Sequence, residues 1–321
     1  MKKILITGGA SGFIGNSISK YFSKNFKVIT YDKNLPIKMS RNFIMVKGCI
    51  TDENKIESIC KKYSPDVIIH CAGINYQNIF GKNDADEYDK INSIATEKIA
   101  FHAAKANPGV KFIFLSTISV YGEAYNKKVV KETYECKPTS IYAESKLNAE
   151  NRLRCLYDDN IISNIDILRL APVYDLSNCK NVEKRVFGFK KQFYVKFGSG
   201  DQKMSILARS NLLDFIDFRL RKNNKSKSFN IINVCDLEPV KFNEIINIFQ
   251  KSKYQPDKLV VNVPLILVRI VTMLSGLVLI NKQEWINSFY DKLANDFVFD
   301  NQKMLGTGFM PKHTLKSEFI K

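Results

Sequence analysis

The chain has 321 residues, room for one large or two modest domains, and its 45% hydrophobic content can fill a core. Its net charge of +17 suits anionic ligands, but outside Arg219, Arg221, Lys222, Lys225 and Lys227, read as a solvated loop, the cations are dispersed, and no nucleic-acid partner is expected. Cysteines 49, 60, 71, 136, 155, 179 and 235 form no CxxC pair and there are three histidines, which argues against a disulfide framework or a metal site and predicts a reduced, cytoplasmic protein.

The first predicted strand covers residues 3–7, and the apolar run before Thr7 is too short for a signal peptide. It leads into Gly8-Gly9-Ala10-Ser11-Gly12-Phe13-Ile14-Gly15, and a helical pattern follows over 13–24. Gly9, Gly12 and Gly15 are spaced by three. Glycine at these positions permits a tight turn, close approach of a pyrophosphate to the main chain, and close packing of helix on strand. The helix N-terminus offers N–H groups and a partial positive charge to phosphates. A second strand at 26–31 ends at Asp32, 17 residues past Gly15. A carboxylate there can bind both ribose hydroxyls of NAD and repel a 2′-phosphate, although the adjacent Lys33 keeps NADP open.

Strands at 43–46, 66–71, 111–116 and 165–170 then alternate with helical patterns at 53–63, 84–106 and 140–158, with Pro108-Gly109 marking a turn. Cys71, Cys155 and Cys235 lie in apolar runs and read as small hydrophobes. The alternation predicts an α/β protein: a Rossmann-type doubly wound parallel sheet with a smaller C-terminal substrate-binding domain. The expected boundaries are 1–172 for the NAD(P)-binding part, with a strand returning near 228–234, and 173–321 for the rest. Residues 173–210 read as irregular, and a helix is expected at 241–252.

Strand 111–116 runs out into a hydroxyl-rich loop, Ser116-Thr117-Ile118-Ser119-Val120-Tyr121-Gly122. Beyond it, Tyr142 and Lys146 stand four apart in a helical pattern, neighbours across one turn. Moving a phenol from its usual pKa of about 10 to about 7 takes roughly 4 kcal/mol. An ammonium about 4 Å away at an effective dielectric of about 20 supplies that much. Tyr254 and Lys258 have the same spacing, but Pro256 would break a helix through them. Residues 264–280 form an apolar run interrupted by Arg269, at the short end for a span. Two readings stay open: a buried or partly exposed helix of the second domain, or an interfacial helix resting on the inner face of the membrane.

With these motifs in hand, the chain resembles the extended short-chain dehydrogenase/reductase family, the NAD-dependent nucleotide-sugar epimerases and dehydratases. The resemblance rests on the glycine turn at 9–15, Asp32, His70-Cys71-Ala72-Gly73, Asn92, Ser116-Thr117 before Val120-Tyr121-Gly122, and Tyr142 with Lys146. Leu168-Arg169-Leu170-Ala171-Pro172-Val173-Tyr174, Phe299-Asp300, Leu305-Gly306 and Pro311 extend it towards the C-terminus.

The resemblance implies roles. Tyr142 is the expected acid/base. Lys146 lowers its pKa and holds the nicotinamide ribose. Thr117, with Ser119, meets the sugar, and Asn92 is structural around Lys146. Gly9, Gly12, Phe13, Ile14, Gly15, Asp32, Ile50, Cys71, Ala72 and Gly73 line the NAD site, while His70 is given no ligand role. Lys184, Arg185, Lys190, Lys191 and Arg209 are candidate diphosphate cations, with Arg209 preferred for its planar fork. A homodimer through the helices near 84–106 and 140–158 is implied too.

Four positions depart from the family pattern. Cys49 stands where Asp contacts adenine. Ile118-Ser119 stand where sugar dehydratases carry Asp-Glu, so the groups for water loss are missing. Pro172 replaces an Asn, and Asn211-Leu212 replaces Asp-Val. The expectation is an epimerase working at C4 of a UDP-hexose or UDP-N-acetylhexosamine for surface polysaccharide precursors. A reductase of a nucleotide-linked 4-keto-sugar and a non-catalytic dinucleotide-binding regulator remain the alternatives.

Overall fold

The computed structural model describes residues 1–35, 43–75, 84–122, 129–188, 191–221, 227–252, 258–278, 290–291 and 293–320. Lys190, Lys222, Lys225, Tyr254, Pro256 and residues 279–280, singled out above, lie outside these. Two compact units emerge. One comprises residues 1–122, 135–169 and 220–232; the other comprises 123–134, 170–219 and 233–321.

The first unit opens with β1 (Lys3–Thr7), α1 (Phe13–Phe22), β2 (Lys27–Asp32), β3 (Ile44–Lys47), α2 (Glu53–Tyr63) and β4 (Val67–His70). The helical pattern at 84–106 is not one regular helix. It divides into α3 (Asp84–Tyr88), a π-helical stretch (Asp89–Ile94) and α4 (Ala95–Ala106). β5 (Lys111–Thr117), α5 (Ile141–Asp158) and β6 (Asn164–Leu170) follow. β1, β4 and β5 are apolar on both faces, as strands covered by helices on both sides must be. Local signals set the helix ends. Asp52 accepts from the Lys55 N–H at the start of α2, and Ser64 in left-handed conformation ends it.

Within 173–210, read from the sequence as irregular, there are short elements: β7 (Val173–Tyr174), α6 (Lys180–Glu183), β8 (Tyr194–Phe197), β9 (Lys203–Met204) and β10 (Leu207–Ala208). α7 (Arg209–Arg221) takes Arg219 and Arg221 into a helix rather than a solvated loop, and Arg219 is buried. β11 (Ser228–Val234) then returns to the main sheet. The seven-stranded parallel sheet has the order β11-β6-β5-β4-β1-β2-β3, the expected Rossmann-type arrangement. Its core includes Leu5, Ile29, Ile68, Phe112, Phe114, Ala149, Leu153 and Ile167.

The second unit continues with β12 (Val240–Lys241), α8 (Phe242–Lys251), β13 (Val260–Val263) and α9 (Leu265–Val278). Its strands pair in twos: β10 with β7, β12 with β9, β13 with β8. Among the described residues no helix is long and apolar enough to cross a membrane. All seven thiols are unpaired, and Cys155 is exposed rather than buried with its apolar neighbours.

Candidate active site

The glycine turn is built by close approach of main chain to main chain. A Cβ at Gly15 would lie 2.1 Å from the Gly8 carbonyl oxygen, so only glycine lets α1 start against β1. Gly8, not singled out from the sequence, takes a left-handed φ of 65° directly against the Ala72 backbone. α1 has no side-chain cap at Gly12 and no acid in its first turn. A helix start with no side-chain cap and no acid in its first turn fits a bound phosphate. Phe13 and Ile14 are half-buried beside it, and Ile50 is buried.

Asp32 closes β2 and is buried. Its Oδ2 accepts from the Ala10 N–H (3.1 Å), the Ser11 N–H (3.0 Å) and the Ser11 hydroxyl (3.1 Å), and its Oδ1 accepts from the Asn34 N–H (3.1 Å). The carboxylate therefore already holds the glycine turn in shape. Three donors crowd Oδ2 and one meets Oδ1, so a ribose hydroxyl would use the remaining acceptor position of Oδ1 or take the place of the Ser11 hydroxyl on Oδ2. Cys49 offers a sulfur, which contacts the Thr51 hydroxyl at 3.1 Å, and a carbonyl, which accepts from Tyr31 at 2.6 Å.

At the end of β4, His70 is fully buried. Thr96 donates to the Asn92 carbonyl (2.7 Å) and so accepts from the His70 Nε2–H (2.9 Å); His70 Nδ1 then accepts from the Thr7 hydroxyl (2.6 Å). Burial, reinforced by the nearby Lys146 charge, pushes the imidazole pKa down to about 3, so it stays neutral. It is a fixed strut linking β1, β4 and α4. Past it, Cys71 and Ala72 are half-buried and Gly73 is exposed. A Cβ on Gly73 would meet the Asn92 side-chain oxygen at 2.8 Å and Lys146 Nζ at 3.9 Å.

Asn92 stands in the π-helical stretch. Its oxygen accepts from the Ile74 N–H (2.8 Å), and its nitrogen donates to the Ile74 carbonyl (3.0 Å) and to Ser145 Oγ (3.0 Å). Ser145 in turn donates to the Tyr142 carbonyl (2.9 Å). Asn92 thus ties the segment after β4 to the first turns of α5.

α5 begins where Ser140 accepts from the Ala143 N–H at 3.2 Å, which sets the helical phase of Tyr142 and Lys146. Tyr142 is half-buried and Lys146 only 5% exposed. The Lys146 ammonium sits 4.3 Å from the Phe114 ring centroid, and burial pushes its pKa down to about 8. Thr117 closes β5, half-buried. Its oxygen accepts from the Ser119 N–H (3.2 Å), and its hydroxyl donates to Ser119 Oγ (3.1 Å). Strand end, hydroxyl loop and Tyr–Lys helix all belong to the first unit, at the carboxyl ends of parallel strands, where open α/β sheets bind ligands.

Behind this lies a group that reading the sequence missed. Glu150, one turn beyond Lys146, accepts from Ser116 (2.5 Å) and from Arg169 through Nε (3.1 Å) and Nη2 (2.6 Å). Both charges are buried. Burial opposes the Arg169 charge, but the Glu150 carboxylate more than offsets it and holds the guanidinium above its usual range. The signal was the i, i+4 step from Lys146 to Glu150 on the inward face of α5.

Arg209 belongs to the second unit, at the first position of α7, and forms an ion pair with Asp175. Lys191 pairs with Glu183 at 2.7 Å, and Arg185 stacks on Phe297. Nearby, Asp236 accepts from Tyr174 (2.8 Å), the Ala208 N–H (2.8 Å) and Asn211 (2.7 Å), while Asn211 also donates to the His313 carbonyl (2.8 Å).

A parallel sheet that hands its first strand to a glycine turn, and ends its second in a turn-holding carboxylate, is the arrangement of the dinucleotide-binding α/β class. The match of residues 4–235 to the NAD dependent epimerase/dehydratase family narrows that class, and the chain belongs to this family. Curated relatives include a dTDP-D-glucose 4,6-dehydratase of Dictyostelium discoideum, 31% identical over 49% of this chain and 41% of that one. The protein of the same name in Homo sapiens is 23% identical over 97% of this chain and 86% of its own. Among solved structures, UDP-glucuronic acid 4-epimerase from Bacillus cereus in complex with NAD superposes with a TM-score of 0.72 at 22% identity, covering 98% of this chain and 95% of that one. UDP-glucose 4-epimerase from Thermotoga maritima, with UDP-glucose, gives a TM-score of 0.71 at 20% identity, with 98% and 96% covered. These last two share the fold.

Proposed function

We propose that the protein is an NAD-dependent 4-epimerase of a nucleotide-linked sugar, with a UDP-hexose or UDP-N-acetylhexosamine as substrate. The observation that carries this reading is the buried Lys146 ammonium held over Phe114, one turn from Tyr142 on a helix phased by Ser140. A protein that only binds a dinucleotide has no need of a phenol beside a buried charge. Tyr142 takes the proton of the sugar hydroxyl, and Lys146 stabilises the phenolate and holds the nicotinamide ribose. Thr117 and Ser119 orient the sugar hydroxyl. NAD, when bound, would supply the hydride acceptor for the sugar carbon and the hydride donor to the opposite face of the ketone, with Tyr142 giving its proton back to the ketone oxygen. The glycine turn, Phe13, Ile14, Asp32, Ile50 and the Cys71–Gly73 segment hold the cofactor. Arg209 is assigned to the diphosphate, which would share the guanidinium with Asp175.

The absence of Asp-Glu after Thr117 favours epimerisation over the water loss that names the dehydratase relatives. A cytoplasmic homodimer, associating through α4 and α5 and serving surface polysaccharide synthesis, completes the reading. Exposed Phe101 and Ile141 on those helices are consistent with it.

The first test is to denature the purified protein and assay the supernatant for NAD(H). NAD(H) at near-molar stoichiometry to the protein, followed by C4 epimer formation from UDP-hexoses or UDP-N-acetylhexosamines, supports the reading. An empty protein that reduces keto-sugars with free NADH or NADPH replaces it with the reductase. Tyr142→Phe removes the general base and is expected to lower kcat by about 10² to 10⁴ with NAD still bound. More than a few per cent residual activity would sink the mechanism.

A further inference from the structure

α9 presents an exposed apolar face. Ile266, Leu267, Ile270, Val271, Met273 and Leu274 are each between 46% and 65% exposed. At 3.6 residues per turn these six share one side, covering roughly 160° of the circumference. Val268 and Thr272 point the other way and are buried. Leu259, just before β13, is 73% exposed and adds to the apolar surface of this unit. A contiguous exposed apolar stripe of this kind marks an interaction site.

The charges around it select the partner. Residues 258–278 contain Lys258 and Arg269 and no carboxylate, within a chain of net charge +17. Arg269 borders the apolar face and lies over the Tyr290 ring at 4.9 Å from its centroid. A long cation and an amphipathic ring at the rim of an apolar stripe suit a boundary between hydrocarbon and headgroup. A second copy of this chain would bring like charges together at the same place.

We infer that α9 is a peripheral membrane anchor, lying in the plane of an anionic bilayer with its six apolar side chains among the acyl chains. Arg269 then meets anionic headgroups. The inference is independent of the proposed epimerase activity.

The test is co-sedimentation of the full chain with vesicles of phosphatidylcholine alone and with roughly one third phosphatidylglycerol. The wild type is expected to pellet with the anionic vesicles and less with the neutral ones. The double variant Ile270→Glu/Leu274→Glu is expected to lower the bound fraction about tenfold. Ile270→Ser/Leu274→Ser removes apolar surface without adding repulsive charge, and must also weaken binding. All four substitutions fall at exposed positions, so circular dichroism and Tm should match the wild type. A wild type that stays in the supernatant overturns the inference. So does equal binding by the serine variant, which would assign the attraction to surface charge alone. A wild-type oligomer dispersed by the same substitutions, without vesicle binding, would give the face to a second copy instead.

Discussion

Burial gives Lys146 two opposed consequences. It focuses the ammonium on its neighbours, and it makes the folded state bear the cost of holding a charge out of water. The pKa falls from 10.5 to about 8. Below about pH 8 the lysine is charged in both folded and unfolded chains, and the folded state carries the full penalty, about 3 kcal/mol. Between 8 and 10.5 the unfolded chain keeps the proton that the folded one has lost, so this penalty shrinks as pH rises. Lys146→Met should therefore be more stable than the wild type at pH 7, with the gap narrowing by pH 10, while catalysis is lost. Urea unfolding at the two pH values measures it; a less stable variant at pH 7 would contradict the assignment.

The same reasoning explains Asn211. Its amide donates to Asp236, whose pKa burial raises to about 6 despite three hydrogen bonds. An aspartate at 211 would set a second carboxylate against it. Asn211→Asp is expected to destabilise by about 2–4 kcal/mol at neutral pH and by less as pH falls below 6, where one carboxyl takes a proton.

Among elements, the Glu150–Arg169 pair joins α5 to β6 while Ser116 brings in β5. Removing one partner strands the other, so Glu150→Gln should cost about 3–5 kcal/mol in denaturant unfolding. The double replacement Glu150→Leu/Arg169→Met is expected to recover most of that loss, which separates the pair's net contribution from the cost of an orphaned charge. At this scale most of the sheet was legible in advance. The central strands β1, β4 and β5 are short and apolar on both faces, and β1, β2, β4 and β6 begin or end within a residue of the hydrophobic run. The small sheets of the second unit were not. β9 has two residues, and its partner β12 lies some forty positions on, so no local pattern announces it. The π-helical stretch was hidden for another reason: a one-residue slip in hydrogen bonding around Asn92 leaves the run of apolar spacing nearly unchanged. Candidate site positions could be read from motif order, but the donors of the glycine turn already held by Asp32, and the Asp175 partner of Arg209, only appear once distant segments meet.

For the whole molecule, the chain passes between the two units five times, after residues 122, 134, 169, 219 and 232. Neither unit is a contiguous piece. A fragment of residues 1–172 lacks β11 and would leave β6, buried from Ile165 to Leu170, as an open edge of the sheet. Such a fragment is expected to express as insoluble material, whereas one extended to residue 234 recovers the edge strand. Soluble, NAD-binding 1–172 would contradict this.

The late position of β11 also sets a timetable for synthesis. Sixty-four residues separate the end of β6 from the end of β11. At a ribosomal rate of about 5–20 residues per second, roughly 3–13 seconds pass between them. During that interval the nascent chain has its glycine turn and its Tyr–Lys helix in hand but an unfinished sheet. Chaperone occupancy of the growing chain should peak while residues 170–234 are being made, and cofactor capture should follow the last of them rather than the first.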